Sequence, residues 1–122
     1  MIYPESKLIV GDNCGAKRVK CIKILKFSKS SGAKPMSLAV VSVRKVKKSK
    51  RIVKGEVCRG VLIRLRKSIQ RATGLSIKFS DNAIILVDAK NVPLGSRLFG
   101  PIFKEFRFSD YPKLLSLAKT LV

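Results

Sequence analysis

A chain of 122 residues, 46% of them hydrophobic, can bury one core but not two, and is too apolar for a disordered basic tail. No apolar run approaches the ~20 residues that a membrane-spanning helix needs. The net charge of +20, with no His among the 122 residues, calls for a polyanionic partner and removes the usual general base of hydrolytic enzymes.

The first residues, Met1-Ile2-Tyr3-Pro4-Glu5, show neither a basic–apolar secretory leader nor an Arg/Ser-rich amphipathic one. Residues 7–10 read as a strand leading into Gly11-Asp12-Asn13-Cys14-Gly15, a turn whose Gly and Asx residues tolerate positive φ. Residues 16–26 follow as a second strand. Val19 and Cys21 share one face there and Ile22 and Ile24 the other, a phase change that predicts a bulge where a sheet curls into a barrel. Residues 27–35 read as a loop and 38–46 as a strand. After the basic stretch 47–54 and a turn at Lys54-Gly55, residues 57–66 form another strand, with Val61, Ile63 and Leu65 facing one way and Leu62, Arg64 and Arg66 the other. Residues 67–74 read as a loop. Strands at 75–79 and 83–87 flank Ser80-Asp81-Asn82, which predicts a hairpin. Five or six short strands at this spacing favour a small closed barrel. Near the end, Ser109 or Asp110 is the expected cap of a short helix with Pro112 in its first turn. Leu114, Leu117, Ala118 and Leu121 line one face of it, to pack on the barrel or on a partner.

The charge is unevenly spread. Between Asp12 and Asp81 lie 20 Lys and Arg against one acid, Glu56, whereas residues 81–122 hold six bases and four acids. Three basic groups stand out as candidate phosphate contacts. The first is Lys17, Arg18, Lys20 and Lys23 beside the glycine turn, with no settled assignment of which side chains face outward. The second is Arg44, Lys45, Lys47, Lys48, Lys50, Arg51 and Lys54, seven bases in eleven residues, which reads as a basic loop or ribbon. The third is Arg64, Arg66, Lys67 and Arg71, where arginine forks suit bidentate phosphate contact and pairing with Glu56 or Asp81 is the alternative. Aromatic residues are sparse, and Phe99, Phe103, Phe106 and Phe108 concentrate near the C-terminus, away from the basic centre, favouring recognition of RNA backbone and shape over splayed bases. Cys14, Cys21 and Cys58 form no C-x-x-C pair and read as reduced, mostly buried residues, with no metal site. The glycine turn has neither P-loop nor dinucleotide spacing, so no enzyme, cofactor or small-molecule substrate is expected.

Four segments carry a resemblance. The run from Ile9 to Leu25, Gly60-Val61-Leu62-Ile63-Arg64, Ile77-Lys78-Phe79-Ser80-Asp81-Asn82-Ala83, and Pro93-Leu94-Gly95-Ser96-Arg97-Leu98-Phe99-Gly100-Pro101-Ile102 with Lys104, Glu105 and Arg107 resemble, in order, the universal large-subunit ribosomal protein fourteen family. Residues 28–54 are more basic than that family's bacterial pattern, and 67–74 lacks its usual proline. The resemblance implies a mainly β fold: a five-stranded barrel (about 1–95) with a basic ribbon or loop and a short C-terminal helical segment (about 96–122), as one domain over 1–122. It also implies a structural constituent of the large ribosomal subunit that binds large-subunit rRNA, bridges to small-subunit rRNA and neighbours large-subunit proteins three and nineteen. A protein interface at Ser96, Arg97, Phe99 and Lys113, where a ribosome-silencing factor docks, follows from the same likeness. The excess of Lys and Ile, the high charge and the lack of a leader point to a mitochondrial, organelle-encoded copy, with plastid and bacterial cytoplasm as alternatives. The competing reading from charge alone is a free nucleic-acid chaperone or DNA-compacting protein. A membrane-surface adaptor is more distant, and no membrane partner is expected.

Overall fold

Short stretches of alternating polarity, broken by Gly and Asx turns, assemble here into a sheet that closes on itself. The structure, a computed structural model, describes residues 2–25, 33–47 and 51–122. Its strands are β1 (Lys7–Val10), β2 (Ala16–Ile24), β3 (Leu38–Val46), β4 (Val57–Arg64), β5 (Ile69–Gln70), β6 (Ser76–Ile77) and β7 (Ala83–Val87). A 3-10 helix (Lys104–Phe108) and α1 (Pro112–Leu117) follow. β1-β2-β3-β4-β7 form a closed barrel, antiparallel except where β7 meets β1 in parallel. Closure leaves the barrel strands no free edge for unwanted pairing.

The expected phase change in β2 is a bulge. Cys21 pairs with Val41 and Lys23 with Val40, so Ile22 is the residue without a counterpart. The insertion leaves Ile22 exposed and returns Ile24 to the inner cluster with Val19 and Cys21. That interior also holds Leu8, Val10, Val41, Val43, Leu62 and Leu86.

A second apolar layer lies outside β4 and β7. Val61, Ile63, Ile85 and Val87 turn outward and are covered by Leu98, Ile102, Phe103, Phe106 and Leu114 of the C-terminal segment. All five β7 residues are therefore buried, which explains why this strand reads as a continuous apolar run rather than an alternating one. The C-terminal helix packs on the barrel itself through Leu114, with Leu117, Ala118 and Leu121 partly buried against the same layer.

Two local expectations are corrected. Residues 75–79 and 83–87 do not pair with each other: β6 pairs with β5, and β7 pairs with β4 and β1. Ser80-Asp81-Asn82 instead supplies polar side chains to β4 and the segment after it, as described below. The helix cap is Tyr111, with no side-chain cap bond, and Pro112 stands at the first helical position, where its missing N–H costs nothing. The 3-10 turn at 104–108 was not anticipated, because only Phe106 of it is buried and no apolar period marks it.

Candidate nucleic-acid interface

The pairing register of β1, β2 and β3 stacks cations in lateral rows. Lys7 on β1 lies opposite Lys20 on β2, and Arg18 on β2 lies opposite Lys45 on β3. A third row runs from Lys23 through Val40 to Arg59 on β4. Lys7, Arg18, Lys20, Arg44 and Lys45 line one open groove on this face. Lys17, Arg18, Lys45 and Lys47 line the next one together with Ile9, Asn13 and Phe99. None of these cations forms an ion pair within the described residues. Like charges placed directly across a sheet oppose folding by about 0.2–1 kcal/mol per pair. Two such pairs stand without an ion-pair partner among the described residues, an arrangement that an external anion would relieve.

The first basic group, Lys17, Arg18, Lys20 and Lys23, thus faces outward as a set, the half-buried Lys20 included. Arg44, Lys45 and Lys47 join it, while Lys48 and Lys50 lie outside the described residues. Arg51 and Lys54 are exposed at the β3–β4 connection. Arg66 and Lys67 are exposed beyond β4, where the Arg66 N–H is held by the Asn82 Oδ1 at 2.8 Å and its side chain is left outside. Lys7 and Arg59 belong to the face but were missed. The acidic balance of the first twelve residues concealed Lys7, and only the strand register sets Arg59 in one lateral row with Lys23, across Val40.

Two arginines are withdrawn from the candidate interface. Arg64 is buried, and its Nε and Nη2 donate to both oxygens of Asp81, at 2.9 and 3.2 Å. Its Nη1 donates to the Phe99 carbonyl at 2.6 Å and, more weakly, to that of Pro101 at 3.4 Å. Every guanidinium nitrogen is engaged within the chain, so Arg64 is a strut between the barrel and the C-terminal layer. Arg71 grips Glu105 with two bonds of 2.6 and 3.0 Å, and its Nη2 also reaches the Val122 backbone oxygen at 2.5 Å.

The segment that follows β7 is clamped by the glycine turn. Asn13 Oδ1 accepts the N–H groups of Ser96 and Arg97 at 2.8 and 3.0 Å, and its Nδ2 donates to the Ser96 hydroxyl at 3.0 Å. The Phe99 N–H donates to the Gly11 carbonyl at 2.8 Å. Gly95 lies so close beneath this clamp that a Cβ would stand 2.8 Å from Asn13 Oδ1 and 2.9 Å from the Asp12 Cβ. Gly100 combines a φ of +81° with the Arg64 guanidinium directly against it. The backbone is fixed while the Arg97 and Phe99 side chains stay exposed. Phe99 shares a groove with Lys17 and Lys47. Lys113 is exposed in the first turn of α1.

Against this geometry, the family model described as Ribosomal protein L14p/L23e matches residues 1–122. The chain belongs to this family of ribosomal proteins. Membership gives it a structural role in the large ribosomal subunit.

No disulfide joins the three cysteines of this L14-family chain, of which Cys14 and Cys21 are buried and Cys58 is half-buried. Burial pushes the Cys14 thiol up to about 12, with the neighbouring Asp12 carboxylate adding to the shift. Burial raises the Cys21 and Cys58 thiols as well. Thiols so resistant to ionisation are poor nucleophiles and metal ligands. The Glu105 carboxyl is instead lowered, first by its hydrogen bonds from Arg71. A lowered acid contributes stability above its ordinary value of 4.5 and loses it as pH falls through the lower folded value. Acidification well below 4.5, through that lower folded value, is therefore expected to release the Arg71 latch. NMR amide exchange should accelerate across 102–108 under those conditions and leave β2 and β3 protected. Equal acceleration in both regions would exclude a local latch.

Proposed function

We propose that the outer face of β1, β2 and β3 binds large-subunit rRNA, and that the clamped loop at 94–101 with α1 forms the contact to small-subunit rRNA across the subunit interface. The carrying observation is the block of unpaired cations in register across three strands, Lys7 with Lys20 and Arg18 with Lys45. A folded, closed barrel presents these charges at fixed spacing, which suits the phosphates of structured RNA better than the readout of individual bases. Co-sedimentation tests the reading: the chain should remain with purified large subunits at moderate salt. A chain found mostly off ribosomes and shifting any nucleic acid equally would favour the free-chaperone alternative.

Arg97 and Phe99, displayed from a backbone held by Asn13 and Gly11, support a protein- or bridge-facing role, to which the exposed Lys113 adds. Ser96 serves that surface through its bond to Asn13. Large-subunit proteins three and nineteen, and a silencing factor, are the proposed neighbours on this side. Replacing Arg97 with Ala should leave incorporation into large subunits intact and reduce subunit joining several-fold in a sedimentation assay. Unchanged joining would reject the bridging role. The Lys- and Ile-rich composition supports the mitochondrial matrix as the compartment. Immunolocalisation of the tagged chain to another compartment would overturn that assignment.

A further inference from the structure

Away from β2, on the side of the barrel carrying the C-terminal layer, a second cationic feature has a different character. Phe108, at the end of the 3-10 helix, is 91% exposed, and Leu75 across from it is 64% exposed. Together with Arg71, Thr73, Lys104 and Arg107 they line an open groove of about 300 Å³. Its acid, Glu105, is occupied by Arg71, and neither Lys104 nor Arg107 forms an ion pair within the described residues.

We propose that this groove holds one unpaired nucleotide of the large-subunit rRNA, with its base stacked on Phe108 and its phosphate between Lys104 and Arg107. The inference rests on the rRNA-binding reading above and adds a contact of another kind, to a base rather than to backbone alone. A phenyl ring almost wholly in water is unfavourable unless something covers it. The cations around it select an anionic cover, and a flat π-face beside lysine and arginine is the combination that single-stranded nucleotides use. The Arg71–Glu105 pair fixes the groove beforehand. It ties the β5–β6 connection, which bears Leu75, to the 3-10 helix, which bears Phe108, so the two walls need little ordering when a ligand arrives. An apolar protein segment would satisfy Phe108 and Leu75 but leave Lys104 and Arg107 without a counter-charge.

The test uses large subunits assembled with the unaltered chain or with Phe108→Ala, Phe108→Tyr or Arg107→Glu, probed for base and 2′-hydroxyl reactivity. Because Phe108 packs against so little, its replacement should not disturb the fold. The expected result is one unpaired large-subunit nucleotide whose reactivity rises about tenfold with Phe108→Ala, in keeping with the loss of a base–aromatic stack. Arg107→Glu should expose the same nucleotide, and Phe108→Tyr should leave it protected. If no nucleotide responds while the barrel-face protections persist, this inference is wrong and the rRNA-binding reading stands. A response confined to small-subunit RNA in joined ribosomes, or photocrosslinking of position 108 to a protein, equally overturns it. Absence of any protection dependent on the chain defeats the rRNA-binding reading itself.

Discussion

Reversing two charges on β2, Arg18→Glu with Lys20→Glu, should make the isolated protein more stable and its RNA complex much weaker. The two effects have one cause. Arg18 faces Lys45 and Lys20 faces Lys7 across the sheet, so each reversal turns a like-charge pair into an opposite-charge pair. At about 0.2–1 kcal/mol per cross-strand pair, and with the overall self-repulsion reduced, the melting temperature at low salt should rise by a few degrees. Affinity moves the other way. A released counterion contributes roughly a five- to eightfold factor at about 0.1 M salt, so losing two phosphate contacts weakens binding by about twenty-five- to sixtyfold. The salt dependence of binding should also become shallower by about two units of slope. Thermal melts and filter binding on the same preparations decide it. A variant that is both less stable and weaker in binding would show merely that the barrel had been damaged.

The same electrostatics predicts that the unaltered protein gains stability from added salt, while its RNA complex loses affinity. Screening over a Debye length of about 10 Å at 0.1 M relieves repulsion between the rows and weakens attraction to phosphate alike.

Much of this was legible in the residues. Strand periods, the Gly11–Gly15 turn and the β2 phase change all report local geometry, and local geometry is what a sequence encodes most directly. The candidate interface was legible as charge but not as a surface, because lateral register rather than spacing brings Lys7 beside Lys20 and sets Arg59 in one row with Lys23, across Val40. What misled was long-range packing. Alternation along β4 grouped Arg64 with Leu62 and the exposed Arg66. The structure has a register shift between Leu62 and Arg64, and a cover of residues from 98 onwards. Arg64 reaches a carbonyl 35 positions away, a separation at which no local pattern carries information. Pairing with Asp81 stood as the alternative for this arginine group, and it is the one Arg64 adopts, because a carboxylate suited to a turn is equally suited to receive a guanidinium.

Arg64→Ala should therefore act on folding, and on RNA binding only as a consequence. Removing the guanidinium strands Asp81 and leaves the Phe99 carbonyl, bonded at 2.6 Å, without its donor. Breaking a largely buried pair in this way costs about 3 kcal/mol or more, which in a chain of this length lowers the melting temperature by roughly 10 °C. The damage should begin where Arg64 bonds, at 99–101, and spread into the layer of Ile102, Phe103 and Phe106. The β1–β2–β3 face, whose interior it does not touch, should hold longest. Arg64→Lys should rescue little, since an ammonium cannot span both Asp81 oxygens and the Phe99 carbonyl in one planar fork. Arg66→Ala is the matched control two residues on. It should leave the melting temperature within about 1 °C, since only the Arg66 backbone N–H is bonded and that bond survives the change. Melting curves with amide exchange on the three variants separate the outcomes. A stable Arg64→Ala protein that fails only in RNA binding would return this arginine to the interface and remove it from the strut.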